Sequence, residues 1–304
     1  MISGFPKRCI PALRCTHDGS TLLSEGPDEG DGVITSGNLT CTSCRTKFPI
    51  EDGILNMLIG TSLDEESRHE QILRDKDAGS GRLPWSEEYE ADHVTAEMIP
   101  HMLALSLRPG GHILELGCGE GKYTTRMLEN CGSLIAVDFS GITLRVLQKK
   151  LPASANVGLV MGDTTTLRVA QGYFDRILST LVSNLPTAEH RRAMYTMCAR
   201  SMKPDGRFVF GTHYFGLRQK LALEKQAGRY VDGGIFRYLF TIDEVRKELE
   251  PYFRKFEIRP IQAYLPLSRR LRLPLRAQSK IFERLPVLKD LGELLLCTAE
   301  QPVV

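Results

Sequence analysis

HILELGCGEGK, residues 112–122, passes from a short apolar run straight into three glycines at alternate positions. An apolar run of this length ending in glycines reads as a buried strand, and the segment from Lys122 to Asn130 has helical spacing. A glycine-rich turn between strand and helix lets the main chain approach a ligand at the helix N-terminus, where unpaired amides collect. A lone glycine-rich loop is a weak signal, so its surroundings decide. SLIAVD (133–138) reads as the next strand and ends on Asp138, where a carboxylate can accept both hydroxyls of a ribose. VGLVMGD (157–163) is a further strand and ends on Asp163, which can meet an adenine amino group.

The same alternation continues outward. Ser140 is an N-cap candidate for a helix to Lys150, and YFDRILST (173–180) is a strand. A helix over 187–202 is stopped by the KPDG turn, and RFVFGTHYF (207–215) is the fifth strand. Thr241 caps the helix IDEVRKELEPY, a strand follows near 255–263, and ELLLCTAE (293–300) closes the set. Upstream, Glu87 to Leu107 has helical spacing with Pro100 as a break. Strands alternating with helices predict an α/β fold with a doubly wound, mostly parallel sheet covered on both faces.

The Glu115-x-Gly117-x-Gly119-x-Gly121 loop, the acid of VDFS (137–140), the Gly162-Asp163 pair, FDRILST (174–180) and SMKPDGRFVF (201–210) together resemble the class I S-adenosylmethionine-dependent methyltransferases. The resemblance covers about residues 90–215 and continues more weakly to the C-terminus. It implies a Rossmann-like sheet with S-adenosylmethionine (SAM) as cofactor. Glu115 with Gly117, Cys118, Gly119 and Gly121 is then expected at the methionine end, Asp138 at the ribose, and Asp163 with Thr164 at the adenine. Phe139 is counted among the cofactor-binding residues, and Ser179 and Thr180 are expected near the transferred methyl. NAD, the competing cofactor, uses G-x-G-x-x-G because a pyrophosphate sits over the helix. Here the third glycine comes one residue early, and an acid before the first glycine repels a pyrophosphate but suits a sulfonium. A turn with no ligand leaves the three acids unexplained.

Four of the eight cysteines fall in the first 44 residues. Cys41-Thr-Ser-Cys44 is a C-x-x-C knuckle, and Cys15-Thr-His17-Asp18-Gly19 is its irregular partner, with Asp18 where a second cysteine is expected. Zinc takes four tetrahedral nitrogen or sulfur ligands, commonly as two such pairs. The expected ligands of a structural Zn2+ are Cys15, Cys41, Cys44 and either His17 or Asp18. The run CTSCRTKFPIEDGILNML (41–58) resembles zinc ribbons preceding some bacterial methyltransferases, and the small zinc-ribbon activators of tRNA and protein methyltransferases. The expected organisation is a zinc-ribbon-like module at 1–60, a linker at 61–84, and a methyltransferase domain at 85–304 with insertions at about 214–240 and 265–291.

A net charge of +2, with 42% hydrophobic and 25% charged residues, describes an ordinary globular chain and excludes a global field that recruits nucleic acid or membrane. No apolar run is long enough to cross a bilayer and no secretory signal is visible, so a cytoplasmic location is expected. His213 and Tyr214, ending the fifth strand, are candidates for an acid–base or acceptor-lining role. Asn184-Leu185-Pro186 invites comparison with the N-[IL]-P-[YF] signature of base-modifying methyltransferases, but Thr187 replaces the stacking aromatic. Residues 254–289 are basic and interleaved with leucines, which suits an anionic membrane surface or the solvated face of an insertion. The expected activity is methylation of a small-molecule or lipid-linked acceptor. The alternatives are an rRNA guanine methyltransferase, from the resemblance of the domain order to the large-subunit enzymes, and a non-catalytic SAM-binding scaffold.

Overall fold

A computed structural model describes residues 4–25, 32–80, 102–182, 185, 187–229, 233–265, 267–268 and 270–303. Its centre is an eleven-stranded sheet. In chain order its strands are β1 (Leu22–Glu25), β2 (Gly37–Cys41), β3 (Lys47–Glu51), β4 (Ile54–Asn56), β5 (His112–Leu116) and β6 (Ser133–Asp138). β7 (Val157–Met161), β8 (Phe174–Thr180), β9 (Met202–His213), β10 (Phe253–Ile261) and β11 (Leu294–Pro302) complete it. The spatial order is β10-β11-β9-β8-β5-β6-β7-β4-β3-β2-β1. Strands β9, β8, β5, β6, β7 and β4 run parallel, and the strands on either flank are antiparallel.

The strands form where their apolar runs lie. Ile113, Leu114 and Leu116 of β5, and Leu134, Ala136 and Val137 of β6, are fully enclosed, as a sheet covered on both faces requires. One apolar core contains Ile135, Val137, Tyr195 and Phe208; the other, across the sheet, contains Leu134, Leu144, Leu147 and Leu178. The capped helices stand as expected. Helix Gly141–Lys150 starts at Ser140, whose hydroxyl accepts the Thr143 amide, and helix Ala188–Ser201 starts at Thr187. Helix Ile242–Leu249 carries a reciprocal capping box between Thr241 and Glu244. The helix expected from Glu87 lies largely outside the described residues; of it, residues 102–106 are helical.

The N-terminal ribbon is built into the same sheet. β4 pairs in parallel with β7, Leu55 opposite Val160, and the Met57 amide donates to the Met161 carbonyl. Phe5 and Cys9 press on the β7 backbone at Gly158, where an added Cβ would lie 3.0 Å from the Phe5 ring and 3.1 Å from Cys9 Cβ. Phe5, Leu13 and Phe48 therefore share a core with Ile135 and Tyr195. The ribbon covers an edge of β7 that would otherwise expose unpaired backbone groups.

Within residues 61–84, expected to be a linker with some helix, Glu65–Gly79 is a helix, α1. Only Ser67 of this helix is buried, so it has no apolar stripe to read. It is held by polar contacts: Asp64 accepts the amides of Glu66 and Ser67, Arg74 pairs with Glu70 at 3.0 Å, and Ser140 Oγ donates to Asp75 at 2.5 Å.

Because β4 is a strand of the main sheet, Leu55→Ala should destabilise the whole chain by about 2–5 kcal/mol, the usual range for truncating an enclosed leucine. Urea transitions followed by far-ultraviolet and by near-ultraviolet circular dichroism should shift together. A separate early transition confined to the ribbon would count against a shared core.

Candidate functional site

The glycine loop after β5 is held by Val182, Leu147, Asp138 and Lys150. Gly117, Gly119 and Gly121 have φ of +68°, +52° and +87°, the left-handed region open to glycine. A Cβ on Gly117 would fall 2.2 Å from Val182 Cγ2, and one on Gly121 would fall 2.1 Å from Leu147 Cδ1. At Gly119 a Cβ would meet nothing within 4 Å, because the loop there borders open space. Asp138 holds this arrangement: one carboxylate oxygen accepts the Gly119 amide at 2.9 Å and the other accepts the Ser140 amide at 2.9 Å. Lys150 Nζ donates to the Glu120 carbonyl at 3.0 Å, tying the loop to the far end of the next helix.

A cavity opens over this loop. Gly117, Cys118, Gly119, Asp138 and Phe139 line one side, and Asp163 with Thr164 line the end of β7. Asp163 is fixed by Thr165, whose amide and hydroxyl donate to its two oxygens at 2.9 and 2.6 Å. The carboxyl ends of β5, β6, β7 and β8 thus converge on one pocket, the position at which open parallel sheets bind ligands. Thr180, Leu181, Val182, Leu185 and Phe236 form a more apolar wall. Thr180 Oγ1 is buried with no hydrogen-bond partner among the described residues. A buried hydroxyl without a partner is costly, so a ligand group at this wall would relieve it.

The remaining wall comes from α1. Glu66, Ser67, Glu70, Arg74 and Ala78 face the cavity, and Gln71 Nε2 donates to the Phe139 carbonyl at 2.6 Å. Arg229 donates to both oxygens of Glu66, at 2.6 and 2.7 Å, and His69 Nε2 meets the Gly233 carbonyl at 2.9 Å. These join α1 to the ribbon of Ala227–Arg229 and Phe236–Tyr238. Sequence reasoning missed this wall. The available signal was the Asp64 cap followed by Glu66, Glu70 and Arg74 at four-residue spacing.

Several sequence-predicted residues fall elsewhere. Glu115 lies beneath the loop, buried and outside the cavity lining, and accepts the Thr124 hydroxyl at 2.6 Å. Burial raises its pKa to about 8, and the nearby Asp138 adds to the rise. Desolvation also raises the pKa of Asp138. Two such carboxylates resist ionising together, and a cationic ligand beside them would reverse that tendency. Ser179 is buried off the cavity while its neighbour Thr180 lines it, since successive side chains of a strand alternate in direction. His213 and Tyr214 are also absent from the lining. Burial, with Arg237 second, lowers the His213 pKa to about 4, and the Tyr214 hydroxyl donates to Asp290 at 3.3 Å. Of Asn184-Leu185-Pro186, Leu185 lines the cavity, fixed by Arg191 Nη1 donating to its carbonyl at 3.0 Å; the other two lie outside the described residues.

In the ribbon, ligand atoms of Cys15, Asp18, Cys41 and Cys44 all lie within 4.8 Å of one another. The sulfurs of Cys15 and Cys44 are 3.5 Å apart, and Cys41 Sγ is 3.4 Å from Asp18 Oδ1. His17 points away: its Nε2 meets the Ile59 carbonyl at 3.2 Å, and the ring crowds Gly60. Asp18, rather than His17, completes the cluster.

Residues 113–206 match a protein family described as a methyltransferase domain. Malonyl-(acyl-carrier protein) O-methyltransferase of Methylococcus capsulatus is 31% identical over 127 residues, which are 41% of this chain and 44% of that protein. Cyclopropane-fatty-acyl-phospholipid synthase of Escherichia coli is 27% identical over 159 residues, 49% of this chain and 37% of that protein. The chain therefore spans less than half the length of these two relatives. Among solved structures, phosphoethanolamine N-methyltransferase 1 of Haemonchus contortus, in complex with phosphoethanolamine and S-adenosylhomocysteine, shares the fold. Its TM-score is 0.56 at 15% identity, over 81% of this chain and 51% of that one.

Glu115 gives a pH test. Unfolded, it loses its proton near pH 4.5; folded, it keeps it to about pH 8. Between those values the folded chain binds the extra proton, so this contribution to stability is complete at low pH and is lost as pH rises through the window. Glu115→Gln should therefore flatten the pH dependence of the urea midpoint between those two values. An unchanged slope would assign the raised pKa to another group.

Proposed function

We propose that the chain, whose residues 113–206 match a methyltransferase-domain family, is a class I SAM-dependent enzyme that transfers a methyl group from SAM to a small-molecule or lipid-linked acceptor. The observation that carries this reading is the continuity of one cavity. The glycine loop, Asp138 and Asp163 lie at one end, and Leu181, Val182, Leu185 and Phe236 form an apolar wall beside the orphan hydroxyl of Thr180. The acceptors named for the two relatives, an acyl-carrier-bound malonyl group and a phospholipid, are of the class that such a wall suits.

The residues present fit SAM. Asp138 and Asp163 would hold its nucleoside, and the backbone at Gly119 leaves room for close approach. Bound there, SAM supplies a methyl group already activated by its sulfonium. The chain's own task is then to position the acceptor and exclude water, and the wall formed by α1 and Phe236 serves both. No histidine occurs among the described lining residues. Glu66 and Glu70, each engaged by an arginine, are the carboxylates of the α1 wall.

The four-residue cluster of the ribbon fits zinc. Sulfurs bound at about 2.3 Å around a tetrahedral ion stand roughly 3.8 Å apart, close to the spacing of the ligand atoms here. Cys15, Asp18, Cys41 and Cys44 would hold the ion and fix the two turns that lead into β1 and out of β2.

Calorimetry should detect S-adenosylhomocysteine binding, weakened about tenfold to a hundredfold by Asp138→Asn, since a hydrogen bond to a charged group contributes about 1.5–3 kcal/mol. Unchanged affinity in the folded variant would refute the nucleoside assignment. With methyl-labelled SAM, label should enter a lipid or small-metabolite extract. Label in total RNA instead would favour the rRNA reading, and no label in any pool would favour a silent scaffold. Elemental analysis should find about one zinc per chain, lost in Cys44→Ser; a metal-free wild-type chain with unaltered unfolding would remove the ion from the ribbon.

A further inference from the structure

We propose that the described residues between Gln262 and Leu291, together with the neighbouring helix Leu217–Leu221, form a docking face for an anionic lipid bilayer. Among the described residues, seven of the fifteen exposed large apolar side chains lie between Leu265 and Val287, and three more are Leu217, Leu221 and Leu223. The exposure is therefore concentrated in one place, unlike the scattered surface leucines of ordinary proteins. Described residues of the segment are tied to one another by hydrogen bonds. The Gln278 side-chain carbonyl accepts the Leu265 amide at 3.1 Å and the Ser268 hydroxyl at 3.0 Å. Glu283 accepts the Gln262 amide at 2.8 Å and the Ser279 hydroxyl at 2.7 Å. The helix Leu275–Phe282 thus turns its polar residues Gln278 and Ser279 toward the protein, and leaves Ala277, Lys280 and Ile281 facing outward. Leu217–Leu221 packs against the turn Leu288–Leu291, which makes the two apolar groups neighbours.

The charge of this face selects the occupant. Arg270, Arg272, Lys280 and Arg284 are exposed, and none forms an ion pair with a described residue. The acids nearest to them in the chain are turned inward: Glu283 as described, and Asp290 onto the Tyr214 hydroxyl. Basic heads interleaved with exposed leucines match a surface with negative headgroups over hydrocarbon. A second copy of the chain would bring like charges together in a two-fold contact. Nucleic acid would leave the leucines unused, as no aromatic platform stands among them.

The face also lies on the edge of the sheet that carries the cavity. β9 and β10 run in the same direction as β5, and His213 and Ile261, at their ends, both flank Leu294. The chain leaves β10 after Ile261 on the side where the glycine loop sits. This inference goes beyond the methyl-transfer reading and is tested without turnover.

The full chain should co-sediment with phosphatidylcholine vesicles containing phosphatidylglycerol, release as salt is raised, and stay in solution with phosphatidylcholine alone. Each basic residue at such a surface contributes about fivefold in partitioning, so Arg270→Gln with Arg284→Gln should weaken binding about 25-fold. Leu271→Ser with Ile281→Ser should weaken it at least about tenfold at unchanged charge. Circular dichroism and S-adenosylhomocysteine affinity should be unchanged in both, since these side chains are exposed and outside the cavity. Equal binding to neutral vesicles, or full binding by either folded variant, would overturn the proposal. So would a concentration-dependent dimer that Leu271→Ser dissolves, which would assign the face to self-association.

Discussion

The Asp138 carboxylate is the point on which the site depends. Its two oxygens accept the amides of Gly119 and Ser140, so one side chain fixes both the apex of the glycine loop and the start of the following helix. That helix returns the constraint through Leu147, which crowds Gly121, and Lys150, which caps Glu120. This set of contacts constrains the loop, and the backbone at Gly119 borders the open space of the cavity. A fixed cradle costs a ligand little reorganisation, and this is how a fold supplies affinity before any specific contact forms.

The electrostatics follow from the same geometry. Glu115 and Asp138 are carboxylates in a desolvated place, and burial raises the pKa of each. The Thr124 hydroxyl opposes the rise at Glu115 without cancelling it. Such a pair favours a positively charged neighbour over a pyrophosphate, which agrees with a loop spaced G-x-G-x-G and not G-x-G-x-x-G. Around this centre the chain adds parts from distant segments. α1 comes from before the glycine loop and the Ala227–Arg229 ribbon from well after it, and the Arg229–Glu66 pair joins them at the cavity mouth.

The N-terminal ribbon plays an unexpected mechanical part. Sequence reading separates it as a module, because its cysteines and turns set its composition apart from that of the larger domain. In the structure β4 lies beside β7 in register, and Phe5 fits over Gly158, so the ribbon and the large sheet share a core. An ion held by Cys15, Asp18, Cys41 and Cys44 would brace the two turns on which that seam depends.

The order of strands and helices from His112 onward, the capped helix starts, and the roles of Gly117, Gly119, Gly121, Asp138 and Asp163 in shaping the cavity were legible in the sequence, because each rests on local chemistry. Apolar runs, capping side chains and glycine conformations act within a few residues of one another. Three matters were decided only by tertiary structure. α1 carries no apolar stripe and takes its place from partners at Phe139, Ser140 and Arg229, so its local signals, the Asp64 cap and the four-residue charge spacing, do not reveal that it walls the cavity. The choice of Asp18 over His17 depends on which way two adjacent side chains point from one turn. The exclusion of Glu115, Ser179, His213 and Tyr214 from the cavity depends on the direction each takes from its strand and on what covers it. Spacing along a chain determines which elements form; only packing across the chain determines which of their side chains meet.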